Sequence, residues 1–232
     1  MDKELVLTIG NTNVRYGLFN GNILIESGIY AEPVKKKMKK EKIVKALCIS
    51  VNTRNLKKLK EDNKFIEIME LNKIKSKIKT EYDLNKLGID RYMTIFKSQN
   101  DKEYPAILID TGTADTFDFI DRKGIHIGGF ITPGLSTMAK SLAKFTYALK
   151  EVEPEDGGLR VGKNTEEAIK YGIYMEWVTS IIAFVKLSEN LISARRAIVC
   201  GGNALRLKDF LRNSIIDENY LLKAVHDYGK NI

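Results

Sequence analysis

Histidine is almost missing from this chain: two in 232 residues, His126 and His226, far apart. A zinc site built on histidine is therefore not expected. Cysteine is equally scarce. Cys48 and Cys200 each sit inside an apolar run, where small core fillers are the expectation rather than a disulfide or a metal ligand. No apolar stretch approaches the ~20 residues that a membrane helix needs. The opening Met1-Asp2-Lys3-Glu4 runs straight into a strand pattern and lacks a secretory layout. The expectation is a cytoplasmic protein without a membrane partner. No linker rich in proline or serine interrupts the chain, so two small lobes, if present, are closely fused.

What is abundant is lysine. The formal net charge of +8 suggests a nucleic-acid partner, but its distribution argues otherwise. The excess lies in two runs, Lys35 to Lys45 and Lys57 to Lys79, the second diluted by Glu61, Asp62, Glu67 and Glu70. These runs carry almost no arginine and only Phe65 as an aromatic. Bidentate base readout and stacking platforms then have little to work with. Solvated lysine-rich helices are the simpler expectation.

The chain contains one unit twice. Leu5 to Ile9 reads as a buried strand, Gly10-Asn11-Thr12-Asn13 as a turn, and Val14 to Phe19 as a second strand. Asn20-Gly21-Asn22 closes a hairpin and Ile23 to Tyr30 is a third strand. The same order returns with strand Ala106 to Ile109, turn Asp110 to Asp115, strand Thr116 to Ile120, hairpin Asp121 to Gly124 and strand Ile125 to Ile131. Gly10 and Gly112 are the matching glycines, and their separation is too long for a solenoid repeat. Two similar lobes are expected, one over 1–105 and one over 106–232. Further helices are predicted near Lys35 to Lys45, Arg54 to Asn63, Ile89 to Ser98, Leu135 to Ala148, Thr165 to Asn190 and Ala204 to Asn213. Strands are predicted over Ala46 to Val51 and Arg196 to Cys200, and Asn164 or Thr165 is the candidate N-cap of the longest helix.

Turns of small residues at strand ends expose backbone N–H groups that can hold an anion. Gly10 and Gly112 permit close approach, Thr12, Thr113 and Thr116 add hydroxyls, and a third glycine turn follows a strand at Gly201-Gly202. Two such turns facing across a central cleft suit the phosphates of a nucleotide, and Asp110 suits a cation beside them. Ordinary β-turns rich in Gly, Asn and Thr are the bland alternative. The absence of any Gly-Lys-Ser or Gly-Lys-Thr sequence excludes a Walker-type loop. Leu87-Gly88-Ile89-Asp90-Arg91 delivers an acid and a base together at a helix start. It reads equally well as a helix N-terminal Asp with a surface Arg.

In order, the segments Ile9 to Asn13, Gly88 to Arg91, Ile109 to Ala114, Gly128 to Gly134, Gly162 to Thr165 and Cys200 to Ala204 resemble the type III pantothenate kinases. That family is a branch of the acetate kinase, sugar kinase and actin superfamily. The resemblance runs from Val6 to about Tyr228. It implies an α/β fold of the duplicated actin-like ATPase (ribonuclease H-like) kind, and transfer of phosphate from ATP to pantothenate on the way to coenzyme A. Asp90 would be the catalytic base. Tyr82, Gly88, Ile89, Asp90, Arg91 and Thr165 would line the pantothenate site. Thr8, Ile9, Gly10, Asn11, Thr12, Asn13, Val14, Arg15 and Thr113 would contact ATP, with Mg2+ on its phosphates. Asp110 would hold a monovalent cation, K+ or NH4+, and the Gly201-Gly202 turn would lie on the adenosine side. The resemblance also implies a homodimer. Other readings are a weak or inactive relative that binds a regulatory partner, and a kinase of the same fold acting on another small molecule.

Three positions depart from the family pattern. Thr8 stands where the family's first turn opens with Asp, Asp115 stands where its second turn has Thr, and Cys200 replaces a Thr. The Thr8 exchange removes a carboxylate that in this fold commonly positions the metal through water. Such an electrostatic loss is worth ~3–4 kcal/mol at a transition state. Asp115 is expected to restore that charge from the other lobe.

Overall fold

The computed structural model describes residues 3–74, 77–158, 160–194 and 196–231. The chain divides into two compact units, Met1–Glu103 with Asn219–Ile232, and Tyr104–Glu218.

In the first unit the strands are β1 (Lys3–Ile9), β2 (Val14–Asn20), β3 (Ile23–Ile29), β4 (Lys45–Ser50) and β5 (Glu67–Glu70). They form one sheet in the order β3-β2-β1-β4-β5. β1 lies in its middle, antiparallel to β2 and parallel to β4. Its run Leu5-Val6-Leu7-Thr8-Ile9 is buried throughout, as expected where a central strand is covered on both faces. Helices α1 (Glu32–Lys40), α2 (Thr53–Asp62) and α3 (Ile89–Asn100) complete the unit up to the boundary. Pro33 stands in the first turn of α1, where its fixed φ suits a helix start and no N–H is needed. Met38 of α1 and Leu56 and Leu59 of α2 join Leu5, Leu7, Ile9 and Leu18 in the core. The lysine-rich faces are turned outward, as the first lysine run predicts. The second run is only partly helical, because α2 ends at Asp62 and β5 follows it.

The second unit repeats this plan with β6 (Ala106–Thr111), β7 (Ala114–Ile120), β8 (His126–Pro133), β9 (Ala197–Gly201) and β10 (Ile215–Ile216). Its order β10-β9-β6-β7-β8 is that of the first sheet read from the other edge. Here too the leading strand is antiparallel to the next strand and parallel to the later one. The duplication inferred from the turns therefore extends to the whole sheet. Helices α4 (Leu135–Phe145) and α5 (Thr165–Ile192) cover it. α5 buries Ile169, Ile173, Trp177, Val178 and Ile181 against Ile107, Ile109, Phe117 and Val199. By length and composition α5 is long and apolar enough to cross a membrane, a segment the sequence expectation overlooked. Core packing takes up part of that apolarity, while Met175, Ile182 and Leu191 of the same helix are exposed. Cys48 and Cys200 are both buried.

Two expectations change. The helix predicted over Ala204 to Asn213 is a single 3-10 turn, Ala204–Leu207, followed by turns and β10. Gly201, Gly202 and Asn213 flank too short an apolar pattern for more. The last helix, α6 (Tyr220–Lys230), belongs to the first unit, not the second. It packs on α3, β1 and β4, and Tyr228 is its anchor. The Tyr228 ring meets Phe96 and Tyr92 edge-on at 4.9 and 5.6 Å, and its hydroxyl donates to the Asn72 carbonyl at 2.7 Å.

Tyr228→Ala is expected to cost the first unit ~3–5 kcal/mol in urea unfolding. Tyr228→Phe, which removes only the hydrogen bond, should cost about 1 kcal/mol.

Candidate active site

Strand register defines the two turns. In the first unit Thr8 pairs with Arg15 on one side and Ile49 on the other. In the second, Asp110 pairs with Thr116 and Cys200. Thr8 and Asp110 are thus structural equivalents, each one residue before the end of the central strand. The same registers match Ile9 with Thr111, Val14 with Asp115, and Ser50 with Gly201.

The first turn closes when the Gly10 N–H donates to the Asn13 carbonyl at 3.0 Å. A Cβ on Gly10 would stand 3.1 Å from that same oxygen, so glycine keeps the turn tight. Asn11, Thr12 and Asn13 are exposed at its tip, while Thr8, Ile9, Val14 and Arg15 lie on the paired strands. α2 braces it. Asn52 caps that helix by accepting the Asn55 N–H at 3.0 Å and donates to Asn11 Oδ1 at 3.4 Å. The Asn55 amide donates to the carbonyls of Gly10 and Asn11 at 3.0 and 3.2 Å. Neither asparagine stood out in the sequence. The signal was there: Asn-x-x-Asn directly after a strand is an N-cap pattern.

The second turn is shorter by one residue, since Ile9 pairs with Val14 across the first turn and Thr111 with Asp115 across the second. Here the Gly112 N–H donates to the carboxylate of Asp115, at 3.1 Å. The Thr113 carbonyl accepts from Gly134 N and Thr137 Oγ1 at 3.1 and 2.5 Å, which ties the turn to the start of α4. The third glycine turn is stitched to the same place. Thr111 Oγ1 donates to the Cys200 carbonyl at 2.8 Å. Gly201 has φ +91°, and a Cβ there would collide with Asp110 Oδ1 and the Thr111 backbone. The structure thus brings Asp110, Thr113 and Gly201 to one end of the second sheet.

Asp115 does not restore the missing charge. It is only 1% exposed, and its second oxygen accepts from the Trp177 indole N–H at 2.5 Å. Burial pushes its carboxyl up to about 7, against the pull of these two N–H donors. A carboxylate enclosed in this way is a fastener inside the second unit rather than a ligand for metal-bound water.

Tyr82, Gly88, Ile89, Asp90 and Arg91 come together in the first unit. Gly88 is the N-cap of α3 and Asp90 lies in its first turn, where the helix N-terminus favours negative charge. Asp90 Oδ1 accepts the Arg91 N–H at 2.8 Å, and a Cβ on Gly88 would lie 2.6 Å from it. Only glycine leaves room for that carboxylate. Arg91 is buried, with its guanidinium 5.0 Å from the centre of the Tyr82 ring. Lys73 secures the approach by donating to the carbonyls of Leu84 and Leu87 at 2.7 and 2.8 Å. In the second unit Asn164, not Thr165, caps α5, accepting the Glu167 N–H at 3.0 Å. Thr165 is exposed as its first helical residue.

A family model for type III pantothenate kinases matches residues 4–186. The chain belongs to the type III pantothenate kinase family. It is 28% identical over 237 residues to a type III pantothenate kinase of Christiangramia forsetii, with 96% of each chain covered. It is 28% identical over 212 residues to that of Hahella chejuensis, covering 88% of this chain and 87% of that one. Among solved structures, a conserved Baf family protein from Campylobacter jejuni matches with TM-score 0.63 at 21% identity, over 98% of this chain and 100% of the other. The activator of 2-hydroxyisocaproyl-CoA dehydratase from Clostridium difficile, solved with ADPNP, matches with TM-score 0.54 at 11% identity, over 100% and 98%. Both likenesses show the fold, which is the duplicated actin-like one. Within this pantothenate kinase family chain, the motifs quoted from the sequence occupy strand ends, turns and helix starts.

Gly201→Ala is expected to destabilise the second unit by about 1–3 kcal/mol, from its positive φ and the crowding of Asp110. Urea unfolding measures it, and unchanged stability would contradict the tight packing of the third turn on β6.

Proposed function

We propose that this chain transfers the γ-phosphoryl group of ATP to the primary hydroxyl of pantothenate, giving 4'-phosphopantothenate for coenzyme A synthesis, in the cytoplasm. The observation that carries it is family membership over residues 4–186 together with two equivalent glycine turns at matching strand ends. In this reading the first unit offers ATP the turn from Thr8 to Arg15, and the second offers Thr113 and, for the adenosine side, Gly201-Gly202.

The donor set fits metal-bound ATP. Among the described residues no cluster of three or more His, Cys, Asp or Glu side chains could enclose an ion. Mg2+ suits such a site, because it keeps several waters and needs only one or two carboxylates beside the phosphates. When bound it supplies neutralisation of phosphate charge. In this reading Asp110 serves a cation, K+ or NH4+. Thr8 contributes a hydroxyl to the first turn but no charge.

In this reading the first unit offers pantothenate the half-buried Tyr82, Gly88, Ile89 and Asp90 with the buried Arg91 behind them, and Thr165 is the substrate residue of the second unit. Arg91 is the cation suited to the substrate carboxylate, with its guanidinium 5.0 Å from the centre of the Tyr82 ring. Asp90 orients the hydroxyl and accepts its proton late. Phosphoryl transfer through a loose transition state asks for alignment more than for a strong base. A homodimer is part of the same proposal.

A coupled ADP-release assay with ATP, Mg2+, K+ and pantothenate tests the reading, and release that depends on pantothenate is expected. No such release under any cation condition would discard it and favour a regulatory relative. Asp90→Asn should lower kcat by about 10²–10⁴ and leave ATP affinity unchanged.

A further inference from the structure

We propose that the Asp115–Trp177 pair is a positioning device for ATP, in which the Asp115 carboxylate holds the second phosphate turn closed and couples it to α5. The proposal rests on the reading of Gly112-Thr113 as a phosphate turn.

The duplication shows what Asp115 does. In the first turn the Gly10 N–H is taken by the backbone carbonyl three residues on, Asn13. The second turn is one residue shorter, and the Gly112 N–H is taken by the carboxylate three residues on, Asp115. A side chain thus replaces a main-chain acceptor for the matching glycine N–H, with register aligning Asp115 to Val14 rather than to Asn13. It carries this acceptor on an oxygen pair whose other member is tied to the Trp177 indole. Gly134 closes the assembly: a Cβ there would collide with the Gly112 carbonyl and lie 3.0 Å from Asp115 Oδ1. The turn, β7, the start of α4 and the middle of α5 therefore meet at one carboxylate.

That arrangement favours the ionised form. Both oxygens accept from N–H donors, and protonation turns one of them into a hydroxyl, a poorer acceptor, so one of the two bonds weakens. The neighbours in register are uncharged, Thr111 on β6 and Thr132 on β8. Gly134 is the contact from the start of α4 and Trp177 the one from α5. Titratable groups on these elements are Asp110, in register with the adjacent Thr116, Tyr174, whose ring lies 5.9 Å from that of Trp177, and Glu176, which lines a cavity with Thr132 and Pro133. Burial, not a neighbouring ion, sets where Asp115 titrates, and that is close to neutrality. Protonation, or loss of either partner, should loosen the turn without touching Asp90.

Trp177 is the only tryptophan in the chain, so its emission reports on this carboxylate. Ligand-free protein should show a tryptophan fluorescence change between pH 5 and pH 9 with a midpoint near 7, absent in Asp115→Asn. By calorimetry at pH 8, Asp115→Asn and the packing-conservative Trp177→Phe should each weaken ATP binding about tenfold. Wild-type affinity should fall toward theirs as the pH drops to about 6. The fluorescence arm needs neither ATP nor pantothenate, so it decides Asp115 even if the kinase reading fails. A flat wild-type emission over that range overturns the proposal. So does ATP binding by both variants as tight as wild type at pH 8.

Discussion

Strand register is the constraint on which the rest of this structure depends. β1 and β6 each sit between an antiparallel partner and a parallel one, and the ladders leave no freedom to slide. A slip of one residue would turn every buried side chain of a central strand to the opposite face. Register therefore fixes Thr8 and Asp110 at equivalent strand ends, places Gly10 and Gly112 just beyond them, and sets Gly201 beside Asp110. Small residues at those ends expose backbone rather than side chain, which in the proposed reading faces the phosphates of ATP.

Equivalent positions have not kept equivalent residues. The acid is present at Asp110 and absent at Thr8, while an additional acid appears at Asp115. The apparent exchange is not a relocation of charge. Asp115 faces inward to a backbone N–H and an indole, and an enclosed carboxylate of that kind does the work of a missing carbonyl. The second turn is one residue shorter and uses a side-chain acceptor. The first is longer and is braced by Asn52 and Asn55.

Much of this was legible beforehand. Both three-stranded units, the long helix from Thr165, the placement of Gly88 to Arg91 at a helix start and the burial of both cysteines could be read from apolar pattern and turn residues. Local pattern failed where tertiary packing decides. β5 has one half-buried and three exposed residues, so it carries little periodicity, and pairing with β4 makes it a strand. α6 lies next in sequence to the second unit, yet Tyr228 and its aromatic partners hold it to the first. The role of Asp115 was misread because a polar residue in a phosphate turn looks solvent-facing. Only its contact with Trp177, distant in sequence, shows that it is enclosed.

The central claim is that this chain is a pantothenate kinase whose paired phosphate turns differ by one missing carboxylate. The most direct measurement is kcat of Thr8→Asp against wild type at saturating ATP, pantothenate and Mg2+, with folding checked by urea unfolding. Restoring the charge should raise kcat by about 10²–10³. A folded Thr8→Asp protein with unchanged or lower kcat would contradict the account.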